Sequence, residues 1–350
     1  MNKAIILTNG LFATDIAKTA HGLIRGTERY EIAGVVDASN GGKDAGEILD
    51  GKFRNIPIFF SVDEAVSKIN DIKFCIIGIA TVGGVLPEKM LPLIELCITK
   101  KISIVNGLHE FLSEKKELVE LAKHNNVELI DVRKPKPKNE LHFWSGQIFN
   151  ISVPIIAVMG MDCAIGKRTT CRMIKQACKT ENINAQMIFT GQTGWLQGEK
   201  YGFIFDSTLN DFIAGELEHA IVICYKETNA DVILIEGQSA LRNPSGPCGT
   251  EFLISGNVKN VVLVYSPKRK YYDNLPEWGE IPPVETEIEI IKKFGSKVLA
   301  LALNTEHCTT EEILFFQKMY EEKLNIPVLL PLQQGVEKIV SFIQQLIYKK

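Results

Sequence analysis

The stretch from Pro154 to Thr170, PIIAVMGMDCAIGKRTT, restricts the fold more than any other part of the chain. An apolar run of strand type ends at Gly160, a turn follows, and Gly166-Lys167 opens a run of helical type. A strand that feeds a helix in this way belongs in a parallel sheet, where the helix carries the chain back for the next strand. The turn has a chemistry of its own. Inward-pointing backbone N–H groups, glycines that let a ligand approach, and a lysine beyond them make a nest for an anion. The following helix adds free amides and the positive end of its dipole. Residues 160–170 are therefore expected to hold a phosphate group, with Gly160, Asp162, Cys163, Gly166, Lys167, Arg168, Thr169 and Thr170 as contacts. The bland alternative is a glycine turn with Lys167 exposed to solvent.

Strand and helix signals alternate on both sides of this segment. Before it, residues 4–7, 32–37, 56–60, 74–79, 102–105 and 127–131 read as strands, with helical stretches at 15–25, 63–69, 87–99 and 114–124. Alternation of this kind predicts a doubly wound, Rossmann-like parallel sheet. From residue 155 the pattern restarts, with strands at 155–158, 186–189, 232–235, 261–264, 297–301 and 328–330. Helices are expected from Lys167 and at 211–228, 285–294, 310–323 and 335–348, where Thr309 offers a hydroxyl cap ahead of Glu311 and Glu312. The run KPKPK at residues 134–138 fixes φ and lacks donors, so it reads as an extended, solvated joint. The expected domains are residues 1–147, Rossmann-like and including the joint, and 148–350, a P-loop α/β domain. A chain of 350 residues suits two such cores.

Composition narrows the partners. A net charge of −3 gives no basic surface for nucleic acid, and no apolar run is long enough to span a bilayer. MNKAIILTNG reads as a first strand rather than a signal peptide. The 8 cysteines include no CxxC pair, which argues against a disulfide framework and a zinc site. A cytoplasmic protein acting on a small molecule, in a homo-oligomer, is expected.

The loop departs twice from G-x-x-x-x-G-K-[ST]. Five residues separate Gly160 from Gly166, and Arg168 stands where the magnesium-binding hydroxyl belongs, with Thr169 next. The longer spacing resembles the dethiobiotin-synthetase-like branch of P-loop proteins. Downstream, DVILIE ends an apolar strand at Glu236 and continues Gly237-Gln238-Ser239. That acid is placed to hold magnesium with Thr169, to act as a general base, or merely to cap a turn. Gly191, Gln192 and Thr193 follow a strand end and suit a ligand-facing loop, while Trp195 reads equally as a stacking platform or a packing anchor. Asp206 and Asp211 are placed to face the same crevice, although Asp211 also suits a helix start. Cys163 beside Lys167 is a candidate for a lowered thiol pKa, against the plainer reading of a small loop residue.

In the first half, Thr8-Asn9-Gly10, Gly78–Gly84 and Asn106–His109 are glycine-bearing strand ends. Asp37 sits where dinucleotide folds keep a ribose-binding acid, yet no G-x-G-x-x-G precedes it, so NAD is not expected. His21 and His109 read as structural.

Together the segments AKTAHGLIRG, GKDAGEILDG, IGIATVGGVLP, NGLHEFLS, DVRKP, MDCAIGKRTT, TGQTGWLQG and VILIEGQSAL are similar, in order, to the D-glutamate N-acetyltransferase (DgcN-type) family, formerly of unknown function. The resemblance covers nearly the whole chain. It implies a Rossmann-like domain, a P-loop domain, and acetyl transfer from acetyl-CoA to the amine of D-glutamate or a similar acidic substrate. It leaves Glu236, Lys167 and Asp211 as the catalytic candidates. Arg25, Gln238 and Arg242 are the substrate candidates, with Lys268 as another cation able to meet a carboxylate. Where the family reads EGQGSLSHP this chain reads EGQSALRNP, so Arg242 and Asn243 replace a serine and a histidine. Two other readings stand beside this one: an ATP- and magnesium-dependent ligase or kinase of the dethiobiotin synthetase type, and a nucleotide-binding module without catalysis.

Overall fold

The computed structural model describes residues 1–348. The chain divides into two compact units: Met1–Pro135 with Gln192–Glu199, and Lys136–Gly191 with Lys200 onward. The boundary thus falls at Pro135/Lys136 instead of at 147/148, and a short piece of the second half belongs to the first unit.

The first unit contains β1 (Asn2–Leu7), β2 (Tyr30–Val36), β3 (Ile58–Phe59), β4 (Ile72–Ile77), β5 (Ser103–Asn106) and β6 (Leu129–Asp131). They form one sheet in the order β3-β2-β1-β4-β5-β6 with every pair parallel. This is the doubly wound Rossmann order. Period-2 alternation sends Ile5 and Leu7 to one apolar core and Ala4 and Ile6 to the other. Asp37 is bonded within the protein. Its buried carboxylate accepts from the Thr8 hydroxyl, Phe12 N–H, and the Asn40 N–H and side-chain amide, and so ties the loop after β1 to β2. His21 is likewise structural, with Nε2 2.6 Å from Phe12 O and its ring edge-on to Phe12.

Gln192–Leu196, a short helix, is held within this unit. The Arg29 guanidinium lies 4.0 Å over the Trp195 ring and its Nε donates to Trp195 O. Gln197 donates to Gly22 O and Gly26 O, and Thr27 donates to Leu196 O. Trp195 is therefore a packing anchor carrying a cation on its face.

The second unit contains β7 (Ile155–Gly160), β8 (Ala185–Phe189), β9 (Tyr201–Gly202), β10 (Val232–Glu236), β11 (Asn260–Tyr265), β12 (Lys297–Leu303) and β13 (Val328–Leu329). The order is β13-β12-β11-β7-β10-β8-β9, again all parallel. Both faces are covered, so β7 and β10 are buried along their whole length and read as continuous apolar runs. Ile155, Ala157 and Met159 enter one core, Ile156 and Val158 the other. The helix Lys167–Thr180 buries a stripe of Lys167, Thr170, Cys171, Ile174, Ala177 and Cys178, the spacing of one helical face. The expected Thr309 cap is present as a reciprocal capping box with Glu312.

The stretch after Pro135 is not a free joint. Two buried glutamates on the helix Asn210–Thr228 receive it. Glu216 accepts from Lys136 Nζ, His142 N–H and His142 Nδ1, and Glu218 from Ser145 N–H and hydroxyl and Ile148 N–H. Gly215 makes room: a Cβ there would lie 1.9 Å from His142 O. Among the described residues no helix is long and apolar enough to cross a membrane.

Candidate functional site

The turn between β7 and the helix Lys167–Thr180 belongs wholly to the second unit. Met161 N–H donates to Val264 O, which fastens the start of the turn to β11. Ala164 (φ 51°) and Gly166 (φ 95°) adopt left-handed backbone, and Gly166 offers no side-chain cap to the helix it precedes. The first N–H groups of a helix find no carbonyl within it, so at this end they face the turn. Lys167 is only 7% exposed, and its Nζ donates to Asp162 O at 2.5 Å. Its aliphatic stem crosses Gly160, where a Cβ would stand 2.8 Å from Lys167 Cδ. The glycine is needed for this close approach. Burial lowers the Lys167 pKa, with Cys163 and Asp162 opposing the shift. The ammonium is folded into the turn, unlike the exposed lysine of an ordinary glycine turn.

Asp162, expected to contact the ligand, has its carboxylate filled by the protein instead. Oδ1 accepts from Asn243 Nδ2 at 2.9 Å, and Oδ2 from Arg269 at 2.9 Å and Asp273 N–H at 2.8 Å. It gathers the loops after β10 and β11 onto the turn after β7. Arg269, which also donates to Cys163 O, is absent from the sequence-based candidates. A cation in a loop, 107 positions from its partner, has no periodic signature; the basic run PKRK after a strand end is the available signal.

Cys163 donates to Ser239 Oγ at 3.5 Å, and Ser239 holds an unusual φ of 33°. Burial pushes the Cys163 thiol up, outweighing the pull of Lys167. The lowered thiol pKa expected beside Lys167 is not what the site produces. Arg168 and Thr169 are half-buried on the first turn of the helix, and Thr170 is buried within it.

β10 pairs directly with β7, Glu236 opposite Val158, so the acid stands on the strand next to the phosphate turn. Glu236 is 4% exposed and accepts from Thr190 N–H at 3.1 Å. The Thr190 hydroxyl donates to Glu236 O at 2.7 Å and accepts from Gln238 Nε2 at 3.1 Å. Gly191 lies against both side chains, since a Cβ there would be 2.8 Å from Gln238 Nε2 and 3.7 Å from Glu236 Oε1. At Gly237 a Cβ would meet Val158 O at 2.2 Å, which accounts for the glycine after the acid.

Other expected residues are engaged elsewhere. Arg242 donates to the buried Glu287 at 2.6 Å and to Thr286 at 2.8 Å, which commits it to an internal ion pair instead of a substrate carboxylate. Lys268 pairs with Glu312. Arg25 belongs to the first unit and lies 3.8 Å from Asp50, which already holds Arg54. Gln192 and Thr193 are buried in the first unit, Gln192 packing on Gly107. Asp211 is exposed in the first helical turn after Leu209, the place where an acid favours the helix dipole.

Two parallel α/β units, one in Rossmann order and one with a phosphate-type turn between its central strand and a helix, define a two-domain protein of the P-loop class. A family model described as a P-loop domain of unknown function, DUF1611, matches residues 142–340, and its Rossmann-like N-terminal companion matches residues 38–135. The chain belongs to the DUF1611 family. A protein named D-glutamate N-acetyltransferase from Pseudoalteromonas sp is 29% identical over 276 residues, 77% of this chain and 80% of that one. One of the same name from Tritonibacter scottomollicae is 25% identical over 283 residues, covering 79% and 82%. The crystal structure of a DUF1611 family protein from Anabaena variabilis matches 99% of this chain and 100% of its own, with 27% identity and a TM-score of 0.89.

Proposed function

We propose that the protein is an N-acetyltransferase that moves an acetyl group from acetyl-CoA to the amine of an amino acid, D-glutamate or a similar acidic substrate. Residues 160–170 grip the phosphates of the coenzyme. The observation that carries this reading is Lys167, buried and folded over Gly160 into a turn whose helix has no side-chain cap. Coenzyme A bears a pyrophosphate and a 3′-phosphate, so such a turn can bind it without any phosphoryl transfer. The named activity of the two relatives supplies the acetyl transfer and the acceptor.

In the reaction the acceptor ammonium first gives up a proton. Its nitrogen then bonds to the acetyl carbonyl carbon, the C–S bond breaks, and the thiolate leaves with the electron pair and takes up the second proton that the nitrogen sheds as it becomes the amide. Glu236 is assigned the first proton, because its carboxylate stands at the tip of the strand next to β7 and Thr190 N–H fixes one of its oxygens. Helix-terminal amides and Lys167 supply positive charge to the phosphates.

The residues fit a magnesium ion badly. Arg168 puts a guanidinium where a metal-bound hydroxyl belongs. Among the described residues, the grouping of potential ligands is Asp162, Cys163 and Asp273, and both Asp162 oxygens are already bonded by protein donors.

Ligand-induced stabilisation tests the reading, since a ligand that prefers the native state must raise its melting temperature. With a chelator present, CoA and acetyl-CoA should raise it and acetyl-pantetheine, which lacks the phosphates, should not. Lys167→Ala should remove most of the rise. Equal CoA shifts in wild type and Lys167→Ala, or magnesium-dependent ATP turnover, would overturn the assignment.

A further inference from the structure

An acid in an anion-binding turn needs an explanation. Asp162 is 1% exposed by its side chain and lies in the same turn as Lys167, whose pKa feels its charge. Alone it would repel the phosphates assigned to that turn. Three donors meet its carboxylate: the Asn243 amide, the Asp273 N–H and Arg269. Two are neutral, so among the described residues the charged donor on the Asp162 carboxylate is Arg269, while Lys167 bonds the Asp162 backbone carbonyl. Arg269 is itself 8% exposed, bonds the Cys163 carbonyl of the turn at 2.8 Å, and reaches Glu306 at the longer distance of 3.5 Å.

We propose that Arg269 is a positioning residue that makes this turn an anion site, by neutralising Asp162 so that Lys167 and the helix amides face the phosphate with uncancelled positive charge. The inference rests on the phosphate-binding reading above. It assigns the carboxylate the job of gathering three loops, and the guanidinium the job of removing the electrostatic penalty that this gathering would impose. At the short distances and low dielectric of a buried turn, one uncompensated charge outweighs the loss of any single neutral hydrogen bond.

A charge-balance experiment separates this role from a purely structural one. Inorganic pyrophosphate is the probe, and its binding to the full chain is measured by calorimetry in wild type, Lys167→Ala, Arg269→Gln, Asp162→Asn and the Asp162→Asn/Arg269→Gln double variant. Arg269→Gln should weaken binding at least tenfold, and Asp162→Asn should not weaken it. The double variant, in which the two introduced amides can share one neutral hydrogen bond, should return to within about threefold of wild type. A double variant as weak as Arg269→Gln, or an Asp162→Asn variant just as weak, would show Arg269 to be a scaffold only. Should Arg269→Gln fail to fold, the Asp162→Asn and double variants still decide. If pyrophosphate bound wild type and Lys167→Ala alike, the phosphate reading itself would fall and this inference with it, a result distinct from failure of the rescue.

Discussion

Thr190 grips Glu236 at two points, its N–H on the carboxylate at 3.1 Å and its hydroxyl on the backbone carbonyl at 2.7 Å. The acid is thereby held at the tip of β10 by the neighbouring strand β8, which pairs with it over Val232–Ile235. A base so fixed should matter to turnover more than to folding. Glu236→Gln keeps an acceptor oxygen for Thr190 N–H and should lower acetyl transfer by about 10²–10⁴-fold, the usual contribution of a general base. CoA affinity and melting temperature should change little. Turnover within a few-fold of wild type would remove Glu236 from the chemistry.

Gly160 can be tested separately from Lys167. An added Cβ would stand 2.8 Å from Lys167 Cδ and 2.9 Å from Ile165 Cδ1, so Gly160→Ala must push the lysine stem off the floor of the turn. A displaced ammonium loses a charge-assisted bond worth about 1.5–3 kcal/mol, or roughly ten- to a hundredfold in CoA affinity by calorimetry. Unaltered affinity would mean that the buried pose of Lys167 is irrelevant to binding.

The strap from Lys136 to Ile148 makes a prediction about stability. Alanine in a helix interior normally gains about 1 kcal/mol over glycine. At Gly215 the new Cβ would meet His142 O at 1.9 Å and Phe143 C at 2.5 Å, both backbone atoms that cannot rotate away. Overpacking should win, with Gly215→Ala destabilised by about 1–3 kcal/mol in denaturant unfolding. A stabilised variant would show that the strap is not seated there.

The same strap should respond to pH. His219 stacks on His142 with ring centroids 3.5 Å apart, and burial, then the charge of His142, holds its pKa below the ordinary 6.5. Lys136 and Lys226 push the same way, and Glu216 opposes them. Burial disfavours the Glu216 anion, but bonds from Lys136 and His142 outweigh it and set its pKa below 4.5. A histidine with a lowered folded pKa binds fewer protons folded than unfolded, so its contribution to stability is lost as pH falls below 6.5 toward the folded value. The glutamate acts in the same direction at lower pH, losing its contribution as pH falls from 4.5 through its folded pKa. Melting temperature should therefore drop on acidification below pH 6.5, and His219→Gln should flatten that drop. Parallel pH profiles for the two proteins would contradict it.

The elements with strong periodic or apolar signals are legible in the sequence. Val232–Glu236 and Ile155–Gly160 are apolar along their length because both faces of the sheet are covered, and the Thr309–Glu312 box is written in consecutive residues. β9 is not legible, since two residues, Tyr201 and Gly202, carry no alternation and pair only through their neighbour β8. The turn between β7 and the helix Lys167–Thr180 can be read because glycine and lysine spacing reports local geometry. The partners of its side chains cannot. Arg242 reaches Glu287 across 45 positions and Arg269 reaches Asp162 across 107, distances set by the order of strands and invisible to any local pattern. For the same reason KPKPK reads as solvated, although Lys136 ends on Glu216, 80 residues on.

The proposed acetyl transfer through a phosphate-gripping turn is decided by an assay of the full chain with acetyl-CoA and D-glutamate in the presence of a chelator, following release of the CoA thiol and the mass of the acetylated amino acid. The expected result is equal amounts of free thiol and N-acetylated product in wild type, with Lys167→Ala needing far more acetyl-CoA to reach the same rate. Absence of product across acidic amino acids, or a Lys167→Ala profile that overlays the wild type, would contradict it.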